Sequence, residues 1–197
     1  MPSFLTHPLR WHVARQSCSR PPINLAPNPG LRLWLLDKGS LTAKLIALSQ
    51  GDFRVEVVRQ AYARANRSEV EALGIATHSL CLIREVVLMG HGQAWIFARS
   101  VLPLSSIGGK LRHLRKQGSR PLGAFLFSQP QLIRSPIALA LINSHHGYVP
   151  SELIGDNSLW GRRSIFYVAG KPLLVSEVFL PDFPGLSDPP PLTDKAT

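Results

Sequence analysis

The sequence predicts an α+β fold in which a single antiparallel sheet is covered by helices on one side. Two pairs of strand-like segments flank tight turns at 90–92 and 170–171, which is typical of β-hairpins. Between Leu31 and Leu48 the leucines instead follow helical spacing. Apolar residues make up 45% of the 197 residues and charged residues 17%, so the chain can build a core and is not globally disordered.

The length fits one domain, which we place at 31–181 between two proline-containing ends. Residues 1–30 are predicted to form an N-terminal arm that packs on this domain. Because the arm carries arginines and no acidic residue, an organellar transit peptide is the alternative. Residues 182–197 are rich in proline and polar side chains, and we expect a flexible tail.

The elements of the first half follow in order. The helical segment 31–48 is interrupted at Gly39-Ser40, where Ser40 can cap a second helix. Residues 53–64 alternate like a strand with one solvated face. The first hairpin then pairs residues 79–89 with residues 93–102.

The second half contains shorter elements. A short basic helix is expected at 110–117, and Pro121 is expected to be the first residue of another helix. Residues 131–142 are apolar but contain Pro136, which predicts a strand at the edge of the sheet. A polar loop at 143–158 leads to the second hairpin, which we place at 163–169 and 172–180.

Two charged residues interrupt strand faces that are otherwise aliphatic. Alternation places Arg84 and Glu177 among apolar neighbours, so both side chains are expected to be at least partly buried. Burying a charge costs several kcal/mol unless it is paired. One interpretation is a structural ion pair inside the sheet, Arg84 with Glu177 or Glu85 with Arg99. The other is a binding cavity, with Arg84 holding a carboxylate and Glu177 acting as hydrogen-bond acceptor or base.

The positive charge of the chain indicates an anionic partner. Lys and Arg total 22 against 12 Asp and Glu, and no acidic residue occurs between Val86 and Ser151. Nucleic acid, acidic lipid and a small substrate with carboxylates or phosphates all fit this charge. The basic segment 110–120 lacks aromatic residues and any known nucleic-acid-binding signature, which favours a solvated face instead.

Other common sites have no support in the sequence. The motifs of serine hydrolases, P-loop proteins, dinucleotide-binding domains and zinc proteases are absent. His91 and His145-His146 fall in predicted turns or loops, and Cys81 is expected to pack in a strand. Two cysteines make no disulfide framework, and no apolar run approaches the roughly 18 residues of a membrane span. These features predict a cytoplasmic protein without stable membrane insertion.

Three segments in order, LIREVVLMGHGQAWIFARSVLP, RPLGAFLF and LWGRRSIFYVAGKPLLVSEVFLP, resemble the bacterial chorismate pyruvate-lyase family. The resemblance extends back to LRLWLLDKGSLTAKL and covers residues 11–181. It implies a chorismate lyase-like antiparallel sheet flanked by helices. It also implies the first step of ubiquinone biosynthesis, in which chorismate becomes 4-hydroxybenzoate and pyruvate without a metal or an organic cofactor.

Carried over motif by motif, the resemblance implies four site residues. Arg84 and Glu177 match the catalytic positions, and both bind substrate together with Leu122 and Leu41. Arg84 and the backbone N–H of Leu122 are expected to hold the ring carboxylate, while Glu177 accepts a hydrogen bond from the 4-hydroxyl. Leu41 stands where a well-known member has methionine and keeps an apolar wall.

The reaction requires little acid–base catalysis by the protein. Removal of the C4 proton and cleavage of the C3–O bond produce an aromatic ring, and formation of that ring supplies much of the driving force. Orientation and desolvation are therefore the expected contributions of the protein. Arg162 or Arg163, at the start of the last hairpin, is expected to meet the enolpyruvyl carboxylate. The loop at 143–157 is longer than the usual link in the family.

Two other classes of function stay open. Ligand-sensing domains of some bacterial transcription regulators resemble this fold, so a non-catalytic effector-binding domain is one alternative. Such regulators carry a DNA-binding helical module, which the proline-interrupted arm does not provide. A basic nucleic-acid-binding protein is the other. We expect chorismate as the partner, no nucleic acid, and a monomer.

Overall fold

The computed structural model describes residues 9–14 and 26–186, and in them an antiparallel sheet with helices packed on both faces. The strands are β1 His12–Val13, β2 Phe53–Arg64, β3 Leu80–Gly90, β4 Gln93–Pro103, β5 Ile133–Arg134, β6 Ala138–Asn143, β7 Ser158–Val168 and β8 Lys171–Phe179. Their order is β1-β6-β7-β8-β4-β3-β2, and β5 also pairs with β7. The helices are α1 Pro29–Leu36, α2 Leu41–Leu48, α3 Arg67–Leu73, α4 Leu122–Phe127 and α5 Ser151–Ile154.

The predicted α+β fold with one antiparallel sheet is confirmed. Most of the predicted arm, 1–30, and most of the predicted tail, 182–197, lie outside the described residues. Of the arm, β1 pairs with β6, with His12 opposite Leu139. The domain boundaries 31–181 stay a prediction, although α1 already begins at Pro29, where the Asn28 side chain caps it.

Both predicted hairpins are present, and their strands follow the expected alternation. In β3–β4 the turn residues His91 and Gly92 have φ of 50° and 73°, the left-handed backbone that a tight turn requires. The β7–β8 turn lies at 169–170, one residue before the predicted position. The strand β7 also begins at Ser158 rather than 163, because its first residues pair with β6.

The predicted edge strand at 131–142 is two strands. Pro136 has no N–H to donate, and the segment separates there into β5 and β6. Both pair with β7, with Arg134 opposite Phe166 and Ala138 opposite Arg163. The strand β6 was expected to lie at the edge of the sheet. This is wrong at Ala138 and Leu139, because β1 pairs with β6 there.

The expectation that helices cover only one face is wrong. One face packs against α1 and α2 through Val86, Leu88 and Ala98, and against α4 in a second cluster. The opposite face packs against α3 and α5. No helix was predicted at α3, although Asn66 and Glu69 form a capping box and Gly74 ends the helix with φ 63°.

Three smaller expectations need correction. The basic helix predicted at 110–117 is a 3₁₀ helix at Gly109–Lys116. Pro121 is the N-cap of α4 rather than its first residue. The polar loop at 143–158 contains a 3₁₀ turn at Ser144–His146 and the one-turn helix α5.

Gly90 is predicted to be intolerant of a methyl group. A Cβ at this position would lie 2.2 Å from Cη2 of Trp95, which is buried. We expect Gly90→Ala to lower the free energy of unfolding by about 1–3 kcal/mol, since overpacking forces the indole to move. Gly108→Ala is the control, because φ is −97° there and no heavy atom of the described residues lies within 4 Å. Equal denaturant midpoints for the two variants would contradict the packing argument.

Candidate active site

A cavity lies on the sheet face that α1, α2 and α4 cover. It is lined by residues of β3, β4, β5, β7 and β8 below and by the N-terminal end of α2 and residues of α4 above. All four residues that the resemblance implies, Arg84, Leu122, Glu177 and Leu41, line this one cavity. Its other polar residues include Thr42, Ser100, Arg134 and Arg162.

The strand register brings the charged residues to the same face. Arg84 pairs with Ser100 on β4, and Glu177 pairs with Ala98 on β4 and with Arg162 on β7. Since alternate residues of a strand point to the same side, Ser100 and Ala98 share a face. Arg84 and Glu177 are therefore two strands apart on this face and displaced by two residues along β4.

Arg84 is buried, with 3% of its surface exposed, and has no carboxylate partner among the described residues. Its Nη2 donates to the carbonyl oxygens of Gly118 at 2.8 Å and Arg120 at 3.2 Å, while its Nε makes no hydrogen bond. Burial lowers the pKa of Arg84 below the ordinary value of arginine. The predicted Arg84–Glu177 ion pair is therefore wrong, and the guanidinium can still accept an anion.

Glu177 pairs with Arg162 instead. Arg162 Nε donates to Glu177 Oε2 at 2.6 Å, and Arg162 Nη1 donates to the carbonyls of Trp34 at 2.6 Å and Asp37 at 2.9 Å. The Arg162 side chain is 1% exposed and that of Glu177 is 18% exposed. Glu177 lines the cavity, and within the described residues its Oε1 makes no hydrogen bond, so one carboxylate oxygen is unpaired.

Arg134 is a charged lining residue that the sequence did not single out. Its Nε donates to Ser164 Oγ at 3.0 Å, its Nη1 donates to the Lys38 carbonyl at 2.9 Å, and its guanidinium lies 5.1 Å from the Phe166 ring centre. Burial and the nearby charge of Arg162 lower the pKa of Arg134 to about 10. The only sequence signal was its place in the long segment without acidic residues.

Two helices meet above the cavity. Leu41 is the first residue of α2, which Ser40 caps, and Leu122 is the first residue of α4. The N–H of Leu122 belongs to the first helical turn and has no acceptor within α4. At Gly123 the helices approach so closely that a Cβ would lie 2.5 Å from Thr42 Oγ1.

Known proteins match this chain over most of its length. A model of the family described as "Chorismate lyase" matches residues 16–185. The chain belongs to the chorismate lyase family. A "Probable chorismate pyruvate-lyase" of Pseudomonas fluorescens is 42% identical over 159 residues, which cover 80% of this chain and 83% of the relative. Another from Azoarcus sp. is 44% identical over 168 residues, covering 81% and 88%.

Solved structures share the fold of this chorismate lyase family member. The effector domain of PhnF from Mycobacterium smegmatis has a TM-score of 0.53 at 19% identity, with 75% of this chain and 91% of that chain covered. An identity this low indicates the same fold and no more.

On the opposite face of the sheet, the family member holds a second charged cluster. Arg99 pairs with Glu69, at 2.7 Å, and with Glu85, and the hydroxyl of Tyr148 donates to Glu69 at 3.3 Å. The predicted Glu85–Arg99 ion pair is confirmed. Burial works against the charged form of Arg99, but its hydrogen bonds and charge interaction with Glu69 hold its pKa above the ordinary value. The cluster combines one guanidinium with two carboxylates, and none of its residues lines the cavity.

Arg163 also lies on that opposite face. Its guanidinium stacks 4.7 Å from the Trp11 ring centre and donates to Ser68 Oγ at 3.2 Å. Arg163 therefore cannot meet a ligand in the cavity, and of the two arginines named from the sequence only Arg162 lines it.

The remaining sequence candidates behave as structural residues. His91 is exposed in its turn, and His146 accepts the Asn143 N–H through Nδ1 at 3.0 Å. Cys81 is buried, and burial raises the pKa of its thiol, which makes it a poor nucleophile. In residues 9–14 and 26–186 no group of His, Cys, Asp or Glu is arranged to hold a metal ion. None of the helices in these ranges is long and apolar enough for a membrane span.

The contact between Gly123 and Thr42 can be tested by a double-mutant cycle. Gly123→Ala is expected to lower the free energy of unfolding by about 1–3 kcal/mol, because the new methyl group pushes α4 away from α2. Adding Thr42→Ala removes the hydroxyl and should restore most of that loss, with a coupling energy of about 1 kcal/mol or more. Additive effects in urea unfolding would show that the two helices do not meet here.

Proposed function

We propose that this protein converts chorismate to 4-hydroxybenzoate and pyruvate, the lyase reaction that opens ubiquinone biosynthesis. The observation that carries the proposal is the cavity, where Arg84, Leu122, Glu177 and Leu41 converge. A buried guanidinium without a carboxylate partner suits one end of an anionic ring, and an unpaired carboxylate oxygen suits the hydroxyl at the other end. The family membership and the names of the close relatives support the same substrate.

Orientation of the ring is the first contribution of the chain. Arg84 and the Leu122 N–H hold the ring carboxylate, and Glu177 Oε1 accepts a hydrogen bond from the 4-hydroxyl. The C4–H electron pair enters the ring as the C3–O bond breaks. The proton lost from C4 ends on the methylene carbon of the departing enolpyruvyl group, so the atoms of chorismate equal those of the two products.

Exclusion of water is the second contribution. Val86, Ala98 and Phe166 form an apolar floor around the charged groups, and α2 with α4 covers it. In such an environment the hydrogen bonds to the substrate are stronger than in water. No metal or organic cofactor enters this proposal, in line with the resemblance.

The decisive assay incubates the protein with chorismate and measures 4-hydroxybenzoate and pyruvate in the same samples. Equal amounts of the two products, formed at the same rate with and without EDTA, are expected. The alternative function is a protein that binds chorismate without converting it. Chorismate that binds but persists unchanged would establish that alternative.

We further propose that the protein is a cytoplasmic monomer. Size-exclusion chromatography, which measures the mass of the protein in solution, tests the oligomeric state.

Arg84→Lys is expected to be a poor substitute although the charge is kept. A guanidinium can hold a carboxylate through two parallel hydrogen bonds, whereas an ammonium is a point donor. We expect kcat/KM for chorismate to fall about tenfold or more, equivalent to about 1.4 kcal/mol. A lysine variant with wild-type kcat/KM would show that Arg84 only supports the loop at 118–120.

Glu177→Gln is expected to affect both stability and turnover. The substitution removes the negative partner of buried Arg162, so the free energy of unfolding should fall by about 1–3 kcal/mol. It also makes the acceptor for the 4-hydroxyl neutral, and kcat should fall about tenfold or more. Thermal melting and a pyruvate assay on one preparation measure both. Wild-type kcat in the folded variant would restrict Glu177 to a structural role.

A further inference from the structure

We propose that Arg134 binds the second carboxylate of the substrate, the one that chorismate carries on its enolpyruvyl ether. This inference rests on the proposed function and names the residue that distinguishes a dicarboxylate from a monocarboxylate. It begins with the charges that line the cavity.

The cavity lining contains more cations than anions. Three guanidiniums, those of Arg84, Arg134 and Arg162, face one carboxylate, that of Glu177. The Arg162–Glu177 ion pair is self-neutralising, so two cations, buried Arg84 and partly buried Arg134, have no ion-pair partner in the described residues. Removing a cation from water without a counter-ion is unfavourable, and two such cations fit a ligand with two carboxylates.

The contacts of Arg134 leave part of its guanidinium available. Apart from the Ser164 hydroxyl, its acceptors are the carbonyls of Lys38 and Asp37, at 2.9 and 3.5 Å from Nη1. Its Nη2 makes no hydrogen bond within the described residues. The neighbouring Asp37 carboxylate forms its own ion pair with Lys44 at 2.8 Å. Arg134 is thus held in position by neutral groups while an N–H-bearing edge is free.

The place of Arg134 along the sheet agrees with the shape of chorismate. Arg84 lies on β3, Glu177 on β8, and Arg134 on β5, which pairs with β7. The sheet order β7-β8-β4-β3 places Glu177 between the two unpaired arginines. In chorismate the ether at C3 neighbours the hydroxyl at C4, while the ring carboxylate is at the far end. With Arg84 at that carboxylate and Glu177 at the hydroxyl, the enolpyruvyl group starts on the carbon next to the one that Glu177 holds. Of the orientations of the ring about its C1–C4 axis, one directs this group towards β5 and β7, where Arg134 can meet its carboxylate.

The two arginines that the sequence named for this carboxylate are not available to it. Arg162 donates to Glu177 and to the end of α1, and Arg163 lies on the opposite face of the sheet. Burial and the charge of Arg162 hold the pKa of Arg134 low, so a bound carboxylate would also relieve an unfavourable charge.

The test compares two unreactive ligands of similar shape by calorimetry. One is 3-(carboxymethoxy)-4-hydroxybenzoate, a diacid, and the other is 3-propoxy-4-hydroxybenzoate, which lacks the second carboxylate. The wild-type protein is expected to bind the diacid more tightly. In Arg134→Gln the affinity for the diacid should fall about tenfold or more while that for the monoacid changes less than about threefold. Arg163→Gln, which removes the same charge on the opposite face, is the matched control and should keep the preference.

Two results would overturn the assignment. One is an Arg134→Gln protein that keeps the full preference for the diacid. The other is an equal loss for both ligands, which would mean that Arg134 only holds the end of α1. Arg134→Lys decides the matter if the glutamine variant does not fold, since it should lose part of the preference and keep the monoacid affinity.

Failure of this inference can be told apart from failure of the proposed function. Wild-type protein that turns over chorismate, with an unchanged diacid preference in the Arg134 variants, would remove only the role of Arg134. A preference that depends on Arg134 in a protein that does not consume chorismate would leave the second carboxylate site in place and remove the lyase activity.

Discussion

The buried ion pair between Arg162 and Glu177 is the interaction on which the candidate site depends. One guanidinium joins neighbouring strands β7 and β8 and also donates to two carbonyls at the end of α1. The end of a helix has carbonyls without intrahelical partners, so a cation there satisfies them and interacts favourably with the helix dipole. The break between α1 and α2 is held in place by this contact. Leu41, which follows the break, acquires its position in the cavity wall from it.

Arg134 reinforces the same arrangement from a different strand. It donates to the carbonyls of Lys38 and Asp37, so two arginines hold the segment between α1 and α2. The segment that carries the cavity wall is therefore attached to the sheet by charge-assisted hydrogen bonds as well as by apolar packing. Arg84 has the corresponding position on the other side, where it holds the loop before α4 through Gly118 and Arg120. The same cations that would bind the ligand fix the two segments that cover it.

Much of the fold follows from the sequence because turns and alternation are local signals. The strand 53–64 was predicted with its observed bounds, and alternation correctly indicated that Arg84 and Glu177 are at least partly buried. The partner of Glu177 was harder to predict. The predicted turn at 170–171 would place Ser164 opposite Glu177, whereas the actual turn at 169–170 places Arg162 there. A shift of one residue in a turn moves the register of the opposite strand by two.

Other features could not be predicted because they depend on distant parts of the chain. The acceptors of Arg84 come from a loop 34 and 36 residues later, which no local pattern specifies. The helix α3 has seven residues, too few to show a helical period, and only its capping residues mark it. Arg134 lies in a strand of two residues, which is too short for a pattern of alternation to show which face its side chain occupies. Its position in the cavity lining depends on the pairing of β5 with β7, and that pairing joins segments about 30 residues apart.

The alternation of β3 and β4 also bears on how such a protein can diverge. Arg84 and Ser100 face the cavity, while the adjacent Glu85 and Arg99 belong to the ion-pair cluster on the opposite face. A substitution at a cavity-facing position therefore leaves the ion pairs on the opposite face intact. A substitution in those ion pairs likewise leaves the residues that line the cavity unchanged. Selection can alter what the pocket recognises in small steps without first having to rebuild the scaffold, which makes this sheet a suitable starting point for new specificities.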